Sequence, residues 1–152
     1  SVNYNEDQQA KPEEGVSFTI DTIGTGYEIK NGVAGSLSYM PKGRIDKSGP
    51  TFIAGRSVGK ALIGDQKTYT ERRLKQLPSF TDYQIKHNIP VTIDGLSGYQ
   101  IQAEGKENEI VLLTMLYLPD DGGYYMLTGL STKTHAEDIE VFKKLSASFK
   151  RK

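Results

Sequence analysis

Hydrophobic and polar residues alternate without interruption from Tyr83 to Ile93. Tyr83, Ile85, His87, Ile89, Val91 and Ile93 fall on one side, and Asp82, Gln84, Lys86, Asn88, Thr92 and Asp94 on the other. A period of two marks a strand with one buried face. Pro90 lies on the polar side and has no N–H to give a ladder, which predicts a sheet edge or a bulge. Asp94-Gly95-Leu96-Ser97-Gly98 is expected to reverse the chain, since glycine takes the positive φ angles of short hairpin loops. Tyr99, Ile101 and Ala103 resume the alternation against Gln100, Gln102 and Glu104, and Gly105 to Glu109 makes the next turn.

From Ile110 to Leu118 the pattern becomes an almost unbroken apolar run, so both faces of that strand must be covered. After Pro119-Asp120-Asp121-Gly122-Gly123, the strand Tyr124 to Leu130 is again apolar on both sides, with Gly129 leaving room for a close neighbour. Loops this short force antiparallel hairpins. An antiparallel sheet with doubly buried middle strands needs a layer on each side.

Two helices supply those layers. The C-terminal one opens with Thr134-His135-Ala136-Glu137, which has the spacing of a capping box, and carries Ile139, Phe142, Leu145 and Phe149 at helical intervals. Lys143, Lys144, Lys150, Arg151 and Lys152 crowd its end, where the helix dipole favours cations. The other runs from about Asp65 to Leu77 and is stopped by Pro78; its apolar stripe is thin, mainly Tyr69, Leu74 and Leu77. Thr51 to Ala54 reads as a short strand, and Val16 to Met40 as two or three weaker ones around Phe18, Ile20, Tyr27, Ile29, Leu37 and Tyr39. The fold class is therefore α+β, an α/β/α sandwich with a central antiparallel sheet and a helix on each face.

A chain of 152 residues is expected to form one domain. Residues 1–15 have almost no core-forming side chains and begin without methionine. They are expected to be a flexible tether left after removal of a signal peptide, or the cut end of a longer chain, with the folded domain over 16–152. Lys plus Arg and Asp plus Glu both total 19, a balance that argues against a general nucleic-acid binder. No apolar run spans a bilayer, Ile110 to Leu118 being about half the length required. Cysteine is absent, so disulfides, thiolate metal sites and a cysteine nucleophile are ruled out.

Several chemical motifs fail on inspection. Ala54-Gly55-Arg56-Ser57-Val58-Gly59-Lys60-Ala61 sits between a strand and a helix as a phosphate-binding loop would. Its glycines are one residue too close, however, and Ala61 stands where a Mg²⁺-binding hydroxyl is needed. Gly24-Thr25-Gly26 lacks the third glycine of a dinucleotide fingerprint. Gly95-Leu96-Ser97-Gly98-Tyr99 has tyrosine where a nucleophile elbow needs glycine. His87 falls on the apolar side of its strand, which predicts a packed core histidine, and His135 is expected to be exposed. Asp120-Asp121 before two glycines reads as a turn, since the alternating acidic loop of a Ca²⁺ site is missing. No catalytic residue, metal ligand or cofactor is predicted.

One charge feature remains. Between Arg56 and Leu77 the chain carries Arg56, Lys60, Lys67, Arg72, Arg73 and Lys75 against Asp65 and Glu71. Arg56, Lys60, Arg72 and Arg73 are the candidates for an anion- or partner-binding surface; the alternative is a solvated helix face balanced by Glu6, Asp7, Glu13 and Glu14.

The segment from Pro90 to Ile101, the double-apolar strand, Gly123-Tyr124-Tyr125 and the closing stretch from Phe142 through Phe149 to Lys150-Arg151-Lys152 together resemble bacterial PsbP-like domains, over about residues 50–150. Those domains are similar in fold to the photosystem II extrinsic subunit PsbP and to a Ran-binding nuclear import factor. The resemblance implies an α/β/α sandwich, export from the cytoplasm and action by binding a protein assembly, and it carries over no catalytic residue. The expectation is a non-enzymatic accessory or binding module outside the cytoplasm, periplasmic, secreted or tethered to the envelope, with a protein partner. The alternative is a domain for a small ligand, anion or metal ion, and the third reading is a small enzyme.

Overall fold

The computed structural model describes residues 11–33, 35–44, 49–60, 64–77 and 82–152. After a 3₁₀ turn at Pro12–Gly15 come β1 (Phe18–Thr19), β2 (Tyr27–Val33), β3 (Ser36–Pro41), β4 (Thr51–Arg56) and α1 (Gln66–Lys75). The chain continues through β5 (Gln84–Ile93), β6 (Leu96–Glu104), β7 (Glu109–Tyr117), β8 (Tyr124–Thr132), a second 3₁₀ turn (Lys133–His135), α2 (Asp138–Ala147) and β9 (Lys150–Arg151). Strands β2 to β8 form one antiparallel sheet in the order β2-β3-β4-β8-β7-β6-β5, while β1 and β9 pair with each other. The expected sandwich is the one observed, with α2 on one face and α1 on the other.

The two apolar sides of β7 and β8 feed two cores. On the α2 face, Leu112, Leu116, Tyr125 and Leu127 pack with Ile139, Phe142 and Leu145 of the helix and with Phe52 of β4. Gly129 lies here, and a Cβ added to it would meet the Phe142 ring at 2.3 Å, so the missing side chain lets the helix approach the sheet. On the α1 face, Val111, Leu113, Met115, Tyr117 and Tyr124 gather beneath Leu74. The Thr70 hydroxyl lies 2.7 Å from the Tyr117 hydroxyl, and both donate to the Gln66 carbonyl, at 2.8 and 3.2 Å. Burial pushes the Tyr117 phenol up to about 12.

The chain departs from the sequence expectation at three places. β5 is an edge strand, as Pro90 required, but its register shifts between Ile85 and His87. The bulge splits the continuous stripe. Tyr83 and Ile85 pack toward α1, whereas Val91 and Ile93 join the α2 core. His87, just past the bulge, is exposed and not a core histidine. The capping box does not form either. Thr134 lies in the 3₁₀ turn, where its hydroxyl accepts from Asn108 Nδ2 at 3.3 Å, and α2 begins only at Asp138 with no side-chain cap bond from Glu137. Finally, α2 ends at Ala147. Phe149 is buried beyond the helix against Phe18 and Tyr125, and Lys150–Arg151 form β9 rather than a basic helix end.

Asp65 is the N-cap of α1, its carboxylate accepting the Lys67 N–H at 3.0 Å and the Thr68 hydroxyl at 2.8 Å. Pro78, the expected stop, lies outside the described residues. Pro12, expected in the tether, sits over β2, where a Cβ on Gly32 would come within 3.0 Å of its Cβ. Residues 1–10 lie outside the described residues.

Candidate functional site

β4 and β8 alternate between the two layers, so Phe52, Ala54 and Leu127 enter the α2 core while Ile53, Met126 and Leu130 face the α1 side. Helix α1 covers only part of that side. It packs over β6 and, through Tyr69, against Tyr117 and Tyr124. Beside it remains a groove of about 680 Å³. Its floor is Ile53, Met126 and Leu130, with the small residues Ser36, Gly55 and Thr128 keeping it deep. Leu77 and Arg73 of the α1 segment form one wall, and the turn Ser57-Val58-Gly59 closes one end.

That turn is held rigidly. The Ser57 N–H donates to the Tyr124 carbonyl at 2.8 Å, the Tyr124 N–H donates to Ser57 Oγ at 3.1 Å, and Ser57 Oγ donates to the Gly59 carbonyl at 2.7 Å. Val58 is left fully exposed at the rim, and Ile53 is 38% exposed on the floor. Gly55, read in sequence as part of a phosphate-loop lookalike, lies inside β4 opposite Ser36 and Met126. Its role is spatial, since a Cβ there would come within 2.7 Å of Ser36 Oγ.

Of the four basic candidates, the structure brings Arg56 and Arg73 to one groove. They differ in electrostatic state. Arg56 donates to the Asp121 carboxylate and lies 6.0 Å from the centre of the Tyr125 ring, so its charge is answered. Arg73 has no acidic partner among the described residues. Its Nη1 donates to the Gln76 side-chain carbonyl, its Nη2 reaches only the Met126 thioether at 3.5 Å, and its Nε is buried with no acceptor. Arg72 is exposed on α1, next to Arg73 in sequence but not lining the groove. Lys60 is exposed with its stem against the Gly122 turn, where a Cβ would meet it at 3.5 Å.

Neither histidine lines the groove. His135 is exposed, with Nδ1 3.3 Å from the Glu137 carboxylate. Asp121, weighed above as a cation ligand, accepts from Arg56 and from the Gly123 N–H at 2.8 Å. No group of three or more His, Cys, Asp or Glu side chains converges among the described residues. No helix among them is long and apolar enough to cross a membrane.

Sequence reasoning missed the groove because its lining comes from β3, β4, α1 and β8. A signal was present all the same: two strands apolar on both sides, and a helix Asp65 to Leu77 whose apolar stripe is thin.

Neither a protein-family model nor a curated protein sequence matches the chain. Among solved structures, the Ran-binding protein Mog1p of Saccharomyces cerevisiae superposes with a TM-score of 0.63 at 10% identity, covering 88% of this chain and 89% of that one. LpqN of Mycobacterium tuberculosis, described as involved in cell envelope biogenesis, superposes with a TM-score of 0.65 at 12% identity, covering 88% and 82%. Cyanobacterial PsbP from Synechocystis aligns with a TM-score of 0.49 at 13% identity, covering 96% and 99%. The chain thus has the fold of Mog1 and LpqN, the α/β/α sandwich that the sequence resemblance to PsbP-like domains implied.

Proposed function

We propose that this protein is a non-enzymatic accessory module that acts by binding, and that the groove beside α1 is its working surface. The observation that carries the reading is an apolar floor that the described residues leave open between a sheet and a helix, with a half-buried cation on its wall. A floor of Ile53, Met126 and Leu130 gains free energy when covered, at about 25 cal/mol per Å² of apolar surface removed from water. The lining supplies hydroxyls and two guanidinium groups but no carboxylate or imidazole among the described residues, a set suited to holding a molecule and poor in general bases.

The relatives in fold support a binding role, since Mog1 is a Ran-binding protein and LpqN is tied to envelope biogenesis. Fold alone does not transmit function. We propose further that the protein acts outside the cytoplasm, a reading that the likeness to LpqN supports; cell fractionation that recovers it with cytoplasmic markers would overturn that part.

The binding role is tested by replacing Ile53 with tryptophan. Ile53 lies on an open strand face, so the larger ring fills the groove without entering either core. Native mass spectrometry of the protein recovered from the cells that make it is expected to show a bound species for the wild type and none for Ile53→Trp. An identical spectrum for both proteins would exclude the groove as the working surface.

A further inference from the structure

The state of Arg73 narrows what the groove takes. Two cations border it, but Arg56 is neutralised by Asp121, so among the described residues Arg73 is the groove cation without an acidic partner. A guanidinium drawn partly out of water, with one donor idle and another spent on a thioether, gains from a charge-assisted bond to an anion. Thioether sulfur is a weak acceptor that a carboxylate oxygen readily displaces. One unpaired positive charge matches one negative charge, which favours a carboxylate over a doubly charged phosphate. Next to Arg73 the surface is apolar, from Met126 and Leu130 to Ile53 and the exposed Val58. The volume of about 680 Å³ lies within the usual range for small-molecule sites, roughly 300–1,000 Å³.

We propose that the groove binds a free single-chain amphipathic carboxylate, its head on the Arg73 guanidinium and its chain over Ile53, Met126 and Leu130. The inference rests on the binding role argued above and names the ligand class. On binding, the carboxylate takes Nη2 from Met126 Sδ while Nη1 stays on Gln76, and the chain covers the apolar floor. Charge and floor are both required, so the head sets selectivity and the chain supplies affinity.

The test is calorimetric titration of the purified full chain, near neutral pH and below micelle formation, with dodecanoate and with dodecyltrimethylammonium, which has the same chain and the opposite charge. Dodecanoate is expected to bind and the cation to bind at least about tenfold more weakly. Arg73→Gln, which keeps a polar group of similar reach, is expected to weaken dodecanoate by about 10- to 100-fold, the range for a hydrogen bond to a charged group. Ile53→Glu leaves the Arg73 side chain in place and sets a carboxylate on the floor. It is expected to weaken dodecanoate and strengthen the cation, and it serves if Arg73→Gln does not fold. Equal affinity for the two amphiphiles, or dodecanoate binding unchanged in the folded variants, would overturn the proposal. No dodecanoate binding, with the wild-type bound species still lost in Ile53→Trp, overturns the ligand class and leaves the binding role standing. Absence of both removes both.

Discussion

Arg151 directs three donors at one residue. Its amide and its Nε reach Asp94 Oδ2 at 2.9 and 2.8 Å, and its Nη2 reaches the Asp94 carbonyl at 2.9 Å. Asp94 and Gly95 both have positive φ, 51° and 72°, so the β5–β6 turn has only two residues, shorter than the glycines of the segment suggested. The side-chain bond from Arg151 is the largest cause holding the Asp94 carboxyl below its ordinary range. A depressed carboxyl stabilises the fold above its unfolded pKa, and that contribution disappears as the pH falls through the folded value. Asn tolerates the left-handed conformation and removes only the charge. Asp94→Asn should therefore unfold at a lower temperature than wild type at about pH 7, with the gap narrowing as the pH falls toward about 2, while Asp94→Ala stays lower at both. Thermal unfolding at the two pH values decides it; a gap for Asp94→Asn that persists in acid would show that charge is not what Asp94 contributes. The sequence named Asp94-Gly95 as a turn, but it held no sign that a residue 57 positions away would close it.

At the scale of elements, the features legible in advance were those a strand or helix enforces by itself. The unbroken apolar run of β7 is buried on both sides, as its pattern demanded. Gly129 receives Phe142, as a glycine in a doubly apolar strand suggested. Features fixed by pairing between elements were hidden. The bulge at Ile85/His87 belongs to the β5–β6 register, and it sends one continuous stripe into two cores. Thr134 had the spacing of a capping residue, but Asn108, from the β6–β7 turn, engages its hydroxyl and the helix starts later. The Gly129–Phe142 contact gives a direct test. Gly129→Ala should cost about 1–3 kcal/mol through overpacking. Phe142→Leu should return part of that loss, so the double variant is more stable than the sum of the single changes predicts. Denaturant unfolding of the three variants measures the coupling, and strict additivity would mean that Phe142 is not what the added methyl meets.

For the whole molecule, the uneven layers matter most. On the α2 side the helix lies over β7 and β8, and Phe52 of β4 and Leu37 and Tyr39 of β3 are buried in the same core. On the other side α1 covers β6 and the tyrosines of β7 and β8, and among the described residues the apolar surface of β4 continues past it into the groove. The sequence contained both halves of this imbalance, the doubly apolar strands and the thin stripe of α1. What it lacked was strand order, which alone sets Ile53 beside Met126 and Leu130. This surface, uncovered among the described residues, is where we propose that the protein meets its ligand. The most direct measurement is photocrosslinking in the cells that make it, with a photoreactive side chain in place of Val58 at the groove rim or of Ile23, which is also exposed and lies outside the groove. A discrete adduct from position 58 and none from position 23 is the expected result. An adduct from position 23 with none from position 58 would contradict it.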